Sequence, residues 1–124
     1  GLEAGSKLQA PTSFSFPGKI VIYGTSITQG GCVSRPGMAY SNIISRKLDT
    51  QFVNLGFSGN GKGEPALAHL INQISDVSFI ILDYEANAGE TIVNTLDPFI
   101  SILRDKHPDT PILVMSKTRY ASAS

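Results

Sequence analysis

A strand that runs directly into a glycine-rich turn occupies residues 19–31, with the sequence KIVIYGTSITQGG. Residues 20–23 are apolar or aromatic and are bounded by turn residues, a pattern typical of a strand buried on both faces of a parallel sheet. Ser26 follows the carboxyl end of this strand. Because open α/β sheets bind ligands in the crevice outside their strand ends, the pattern places a serine hydroxyl beside a cleft. The alternative role of Ser26 is to cap the next helix.

Three more predicted strands alternate with predicted helices along the chain. Residues 51–55, 77–82 and 112–115 have the composition of strands. Apolar side chains at helical spacing predict helices beginning near Tyr40, at Pro65, and at an N-cap Asp97 followed by Pro98. Short connections between alternating strands and helices favour a parallel sheet covered on both faces. We therefore predict an α/β fold, a three-layer α/β/α domain with a mostly parallel, flavodoxin-like sheet.

The length of 124 residues fits one domain but is short for a complete five-stranded doubly wound sheet. Residues 1–18 contain Pro11 and Pro17 and are predicted to be an irregular arm or linker, and residues 19–124 form the domain. Only nine residues follow the fourth strand, which ends at Met115. A sheet that ends there has an apolar edge, so we expect self-association into a homo-oligomer through that edge.

Composition excludes several classes of function. The formal net charge is zero, which gives no electrostatic reason to expect nucleic acid or an anionic membrane as partner. No apolar run approaches the ~18 to 20 residues that span a bilayer. Cys32 is the only cysteine, so an internal disulfide and a cysteine-based metal site are excluded. We predict that Cys32 is a small buried side chain and that the domain uses no metal and no cofactor.

Three loops at predicted strand ends carry the residues that acyl transfer requires. That reaction needs a nucleophile, a base, and hydrogen-bond donors for the oxyanion that develops on the attacked carbonyl. The hydroxyl of Ser26 supplies a nucleophile. Its own backbone N–H, the backbone N–H of Gly59 and the side-chain amide of Asn87 supply donors. Glycine suits position 59 because a side chain there would block the approach of a substrate to the N–H.

These loops resemble the first three of the four sequence blocks of the SGNH or GDSL-type hydrolases. GTSITQG at residues 24–30, NLGFSGNG at 54–61 and DYEAN at 83–87 match in order, and the likeness extends over residues 19 to about 120. The resemblance implies that Ser26 is the nucleophile and that Gly59 and Asn87 are oxyanion-hole donors. It also implies a serine esterase that forms an acyl-enzyme from a small or carbohydrate-linked carboxylic ester. The sequence of these blocks is most similar to that of the GDSL-like acylhydrolases of bacteria. That resemblance is compatible with a soluble, secreted or periplasmic protein, and the residues themselves leave the compartment open.

The chain departs from the family pattern in two places. Thr25 stands where the family usually has aspartate. The family takes its general base from an Asp-x-x-His motif after a fifth strand, and no such motif occurs in the 124 residues. The resemblance therefore implies that the catalytic histidine and aspartate lie beyond this chain and that the fragment by itself is inactive. His69, within a predicted helix, and His107, at the opposite end of the sheet, are poor substitutes.

Other polar residues near these loops have simpler predicted roles. Arg35 and Lys62 are expected to be solvated charges rather than substrate ligands. Glu85 is expected to make a hydrogen bond within its own loop. Asp83, at the end of the third strand, is expected to order neighbouring loop N–H groups.

Two other functions remain open at this point. A non-catalytic binding or interaction module would keep the same fold and loops without the reaction. A phosphate site is the second, because glycine-rich strand-to-helix turns bind phosphate through backbone N–H groups. GTSITQGG lacks both the lysine of a P-loop and the G-x-G-x-x-G spacing, which disfavours the phosphate site.

Overall fold

The computed structural model of the protein describes residue 1 and residues 3–118. The strands are β1 (Lys19–Gly24), β2 (Gln51–Gly56), β3 (Val77–Asp83) and β4 (Ile112–Val114). The helices are α1 (Ser26–Gln29), α2 (Tyr40–Leu48), α3 (Pro65–Ile71), α4 (Glu85–Ala88) and α5 (Ile92–Arg104). Short 3₁₀ turns cover Pro36–Met38 and Gly89–Thr91. None of these helices, in the part of the chain described, is long and apolar enough to cross a membrane.

The four strands form one parallel sheet in the order β2-β1-β3-β4. Gly24 at the end of β1 is level with Gly56 of β2 and Asp83 of β3. The loops that follow these three strands therefore start at the same height along one edge of the sheet. The strand predictions are confirmed to within one or two residues at each end, and so is the parallel α/β class.

Helices cover both faces of the sheet. Val21 and Tyr23 face a core that includes Phe99 and Leu103 of α5 and Ile71 of α3. Side chains alternate between the two faces of a strand, so Ile22 and its neighbour in β2, Asn54, face the other side. There the amide of Asn54 donates to the Thr28 carbonyl of α1 at 2.7 Å and to the Ser41 hydroxyl of α2 at 2.8 Å. The predicted three-layer α/β/α arrangement is confirmed.

The start of α5 differs from the sequence prediction. We predicted an N-cap at Asp97, but the helix begins at Ile92 and contains Pro98 in its interior. Proline there removes one backbone donor, which ordinarily disfavours a helix. Burial explains the longer helix, because Ile92 and Leu96 continue the apolar stripe of Phe99 onto the core. Tertiary packing thus outweighs the local preference of proline for a helix start.

Part of the amino-terminal arm is attached to the domain. Among the described residues, no helix or strand lies before Lys19. The carboxylate of Asp49, which follows α2, accepts the Ser15 N–H at 3.0 Å, and its backbone carbonyl accepts the Phe16 N–H at 3.3 Å. The last residues of the arm therefore lie against the carboxyl end of α2.

The Tyr23 hydroxyl is a buried polar link between β1 and the loop after β2. The side chain is fully buried and stacks on Phe99, with 4.9 Å between ring centroids. Its hydroxyl donates to the Glu64 carboxylate and accepts the Gly63 N–H at 2.9 Å. Burial, reinforced by the bond to Glu64, raises the pKa of Tyr23 far above its ordinary value, so the hydroxyl stays protonated and can donate.

Tyr23→Phe is expected to lower the free energy of unfolding by about 1–3 kcal/mol, because it leaves the buried Gly63 N–H without an acceptor. Urea denaturation followed by circular dichroism measures the change. Tyr84→Phe is the matched control, because the Tyr84 hydroxyl bonds only the side chain of Thr95. We expect the control to lose less than about 1 kcal/mol. Equal losses in the two variants would contradict a special role for the Tyr23 hydroxyl.

Candidate active site

Thr25, and not Ser26, caps helix α1. The Thr25 hydroxyl accepts the Ile27 N–H at 3.3 Å, and the Thr25 side chain is 1% exposed. Thr25 thus accepts a free N–H at the start of α1, and both threonine and aspartate oxygens can make this N-cap hydrogen bond. The interpretation of Ser26 as the N-cap is wrong. Ser26 is the first residue of α1 and is half-buried, with its hydroxyl free of a capping role.

Asp83 fixes α1 against the sheet. One of its carboxylate oxygens accepts the Thr28 hydroxyl of α1 at 2.8 Å and the Tyr40 hydroxyl of α2 at 2.6 Å. We expected the Asp83 carboxylate to accept hydrogen bonds from loop N–H groups, but it accepts them from two side-chain hydroxyls. Burial, together with the bond to Asp83, raises the pKa of Tyr40 far above its ordinary value, which keeps this donor protonated. The Asp83 carboxylate therefore ties α1 and α2 to the end of β3.

The Gly59 loop lies against the turn that carries Ser26. The Phe57 N–H donates to the Gly24 carbonyl at 3.0 Å, and the Ser58 N–H donates to the Gln29 side chain at 3.1 Å. Gly59 is exposed and has a φ of +72°, a conformation that favours glycine. A Cβ at position 59 would meet nothing within 4 Å. No described atom therefore lies close to the position that a side-chain Cβ would take at residue 59.

Asn87 reaches across to the same loop. It lies in the short helix α4 after β3 and is half-buried. Its side-chain N–H donates to the backbone carbonyl of Asn60, the neighbour of Gly59. An amide nitrogen has two hydrogens, so the bond to Asn60 orients the group and leaves its second N–H available to another acceptor. The structure thus brings the loops of Gly59 and Asn87 into contact, beside the helix that begins with Ser26.

Glu64 binds the carboxyl-terminal end of the Gly59 loop and also contacts β1. Its carboxylate accepts the Tyr23 hydroxyl and the Lys62 N–H, the latter at 3.0 Å. Burial alone would raise the pKa of Glu64, but these hydrogen bonds outweigh burial and hold it below the ordinary 4.5. Sequence reasoning missed Glu64, because nothing in the local pattern indicates that its partner lies 41 residues away.

The lowered pKa of Glu64 makes stability depend on pH. A group whose pKa falls on folding stabilises the fold above its ordinary pKa, here 4.5, and this contribution is lost as the pH falls through the folded-state value. We therefore expect Glu64→Gln to reduce the drop in urea midpoint between neutral pH and pH values below 4.5. The same change at the exposed Glu90 is the control and is expected to leave the drop unaltered. If the urea midpoint of Glu64→Gln fell on acidification as much as that of the unaltered chain, the lowered pKa of Glu64 would not explain the loss of stability.

Neither histidine lies where a base for Ser26 is needed. His69 is exposed in the last turn of α3. His107 is buried between α5 and β4, at the amino end of the sheet, and its Nε2 has no hydrogen-bond partner among residues 1 and 3–118. Residues 1 and 3–118 contain no group of three or more histidine, cysteine, aspartate or glutamate side chains that could hold a metal.

Other predicted roles have mixed outcomes. Cys32 is exposed, so the prediction of a buried side chain is wrong; it lies in the turn that follows α1, with a φ of +65°. Arg35 and Lys62 are exposed, as expected of solvated charges. Glu85 was expected to bond within its loop, but its carboxylate accepts the Lys117 N–H at 3.0 Å, in the segment after β4.

A cavity of about 240 Å³ lies next to α1 at the same edge of the sheet. One wall is the segment that follows β4, residues 115–118. The other walls come from the strand ends and helices that surround Ser26, namely Ile27, Tyr40, Asp83 and Ala86. Ser26, Gly59 and Asn87 do not line this cavity, which adjoins Ser26 through its neighbour Ile27 and Asn87 through its neighbour Ala86.

Comparison with known proteins decides the family. The model of the GDSL-like Lipase/Acylhydrolase family matches residues 18–124. The chain belongs to this family. Among curated proteins, none matches the chain. The resemblance that the three sequence blocks indicated is therefore confirmed at the level of family and fold.

Several solved structures superpose on the chain. A protein described as a GDSL-like lipase from Bacteroides ovatus is 48% identical, with a TM-score of 0.75 over 80% of this chain. The salicylyl-acyltransferase SsfX3 of a tetracycline biosynthetic pathway is 27% identical, with a TM-score of 0.74 over 90% of this chain. A family two carbohydrate esterase from Clostridium thermocellum, 20% identical with a TM-score of 0.64 over 93% of this chain, shares the fold. The chain spans 29%, 32% and 47% of the lengths of these proteins.

Proposed function

We propose that this GDSL-family chain carries the nucleophile and oxyanion hole of a serine ester hydrolase. Ser26 is the nucleophile, and the oxyanion donors are the N–H groups of Ser26 and Gly59 and the amide of Asn87. The observation that supports this most is the bond from Asn87 to the Asn60 carbonyl, which turns the amide toward the Gly59 loop. In this proposal the three donors, which come from the loops after β1, β2 and β3, surround the Ser26 hydroxyl, as acyl transfer requires.

The proposed reaction has two steps. The Ser26 oxygen attacks the ester carbonyl carbon, its proton passes to a base, and the carbonyl oxygen becomes an oxyanion held by the three donors. The oxyanion collapses, the alcohol leaves with the proton, and an acyl group remains on Ser26. Water then attacks this acyl-enzyme in the same way and releases the carboxylic acid. No described residue supplies the base, so we propose that it comes from outside residues 1 and 3–118, as the missing Asp-x-x-His motif indicates.

The proposed substrate is a small or carbohydrate-linked carboxylic ester. A carbohydrate esterase and an acyltransferase are among the similar structures, and both reactions move an acyl group. The unfilled space on the Cβ side of Gly59 is consistent with room for the alcohol part of an ester beside this loop. A neutral ester is also consistent with a chain of zero formal charge.

Imidazole added to the solution tests both the nucleophile and the missing base. We expect the chain to cleave 4-nitrophenyl acetate only slowly, and imidazole to accelerate it beyond the imidazole reaction without protein, because a free base substitutes for the absent one. Ser26→Ala is expected to abolish the extra rate, and the control Ser34→Ala, at an exposed loop position, to keep it.

Three results would contradict part or all of the proposal. An imidazole-dependent rate that survives in Ser26→Ala would exclude Ser26 as the nucleophile. A folded chain with no protein-dependent rate at any imidazole concentration would favour a non-catalytic binding module with the same fold. A fast rate without imidazole that is lost in Ser26→Ala would instead show that the described residues already contain the base.

A further inference from the structure

Helix α4 is anchored on both sides by side chains of its own residues. On the β2 side, the Asn87 amide donates to the Asn60 carbonyl. On the β4 side, the Glu85 carboxylate accepts the Lys117 N–H at 3.0 Å. The helix is only four residues long, and its other bonds run mainly to the Tyr84 carbonyl at its own start. The direction in which Asn87 points therefore depends on both anchors.

The β4 anchor also positions one wall of the cavity next to α1. After β4, the Met115 N–H continues the sheet by donating to the Leu82 carbonyl at 2.9 Å. Two residues later the Glu85 carboxylate holds the Lys117 N–H. Residues 115–118 form one side of the cavity next to α1, and Ala86, between Glu85 and Asn87, forms part of another. Loss of the Glu85 bond would release the cavity wall and one anchor of α4 together.

We propose that Glu85 is a positioning residue for the reaction. It does not touch the reacting atoms, and it acts by fixing the orientation of the Asn87 amide and the position of the segment after β4. This inference depends on the proposed function for its effect on rate, but its geometric part can be measured without any reaction. A carboxylate is not required for the role, since the amide oxygen of glutamine also accepts an N–H.

Nuclear magnetic resonance tests the geometric part. In Glu85→Ala we expect shifts in the signals of both the Lys117 backbone N–H and the Asn87 side-chain N–H groups, with faster hydrogen exchange at Lys117. Glu85→Gln is expected to restore both signals. Glu90→Ala, at an exposed acid without a hydrogen bond to the site, is expected to leave both unchanged. An unmoved Asn87 signal in Glu85→Ala would overturn the proposal, whatever the activity.

The rate of ester cleavage provides the second test of the proposal. In the imidazole-supported assay we expect Glu85→Ala to lower kcat between about tenfold and a hundredfold, since small misplacements of catalytic groups have effects of that size. Glu85→Gln is expected to recover most of the rate. An unchanged kcat in Glu85→Ala would overturn the proposal, and so would a Gln variant as slow as the Ala variant. If the unaltered chain shows no Ser26-dependent rate, the proposed function fails, and the Asn87 signal alone decides the role of Glu85.

Discussion

Gly56→Ala is expected to lower the free energy of unfolding by about 3–5 kcal/mol, among the largest effects of any single substitution in this chain. A Cβ at position 56 would lie 2.1 Å from the Gln29 backbone nitrogen and 2.7 Å from the Thr28 carbonyl carbon. Both atoms belong to the backbone of α1, which cannot yield as a flexible side chain does. The clash is relieved only if α1 moves away from the sheet, and α1 is the helix that begins with Ser26.

Urea denaturation followed by circular dichroism measures this loss, with Gly37→Ala as the matched control. At Gly37 the nearest atom to an added Cβ is Arg46 Nη1, at 3.6 Å and at the end of a flexible side chain. We expect the control to change stability by less than about 1 kcal/mol. Equal stability in the two variants would show that the close packing of α1 on β2 is not a constraint on the fold.

Asn87→Ala is expected to lower the imidazole-supported rate by about a hundredfold to a thousandfold, the usual effect of removing one oxyanion-hole donor. The fold should persist, because the lost hydrogen bond joins the side chain to a single carbonyl, that of Asn60, in an exposed loop. Steady-state kinetics with 4-nitrophenyl acetate, together with circular dichroism, separates the two effects.

Asn94→Ala provides the control for Asn87→Ala, because Asn94 is an exposed asparagine of α5. We expect the control variant to keep the full rate. A rate in Asn87→Ala within a factor of about two of the unaltered chain would remove Asn87 from the oxyanion hole. The same result would leave the bond between Asn87 and Asn60 as a purely structural link between two loops.

The sequence predicts the order of strands and helices well, because each depends on local pattern. Parallel connectivity follows from the alternation, and parallel strands bring the loops of Ser26, Gly59 and Asn87 to one edge. Pattern alone also predicts that His107 lies at the opposite end. Gly59 and Asn87 are therefore predicted to lie near Ser26 mainly because each follows the carboxyl end of a parallel strand.

The sequence does not predict the contacts that fix these loops. Asp83 accepts hydroxyls from residues 43 and 55 positions away in the chain, and Glu64 accepts one 41 positions away. No local pattern contains such pairings, which arise only when helices pack on the sheet. The early start of α5 has the same origin, because burial of Ile92 overrides the local signal of Asp97 and Pro98.

The most direct test of the account is the mass of the protein after treatment with a fluorophosphonate, a reagent that attaches covalently to activated serine hydroxyls. We predict a single adduct, formed faster in the presence of imidazole, that peptide mapping places on Ser26. The adduct should form equally in Ser34→Ala and be absent in Ser26→Ala. An adduct that persists in Ser26→Ala, or a folded chain that forms none even with imidazole, would contradict the claim that Ser26 is the nucleophile.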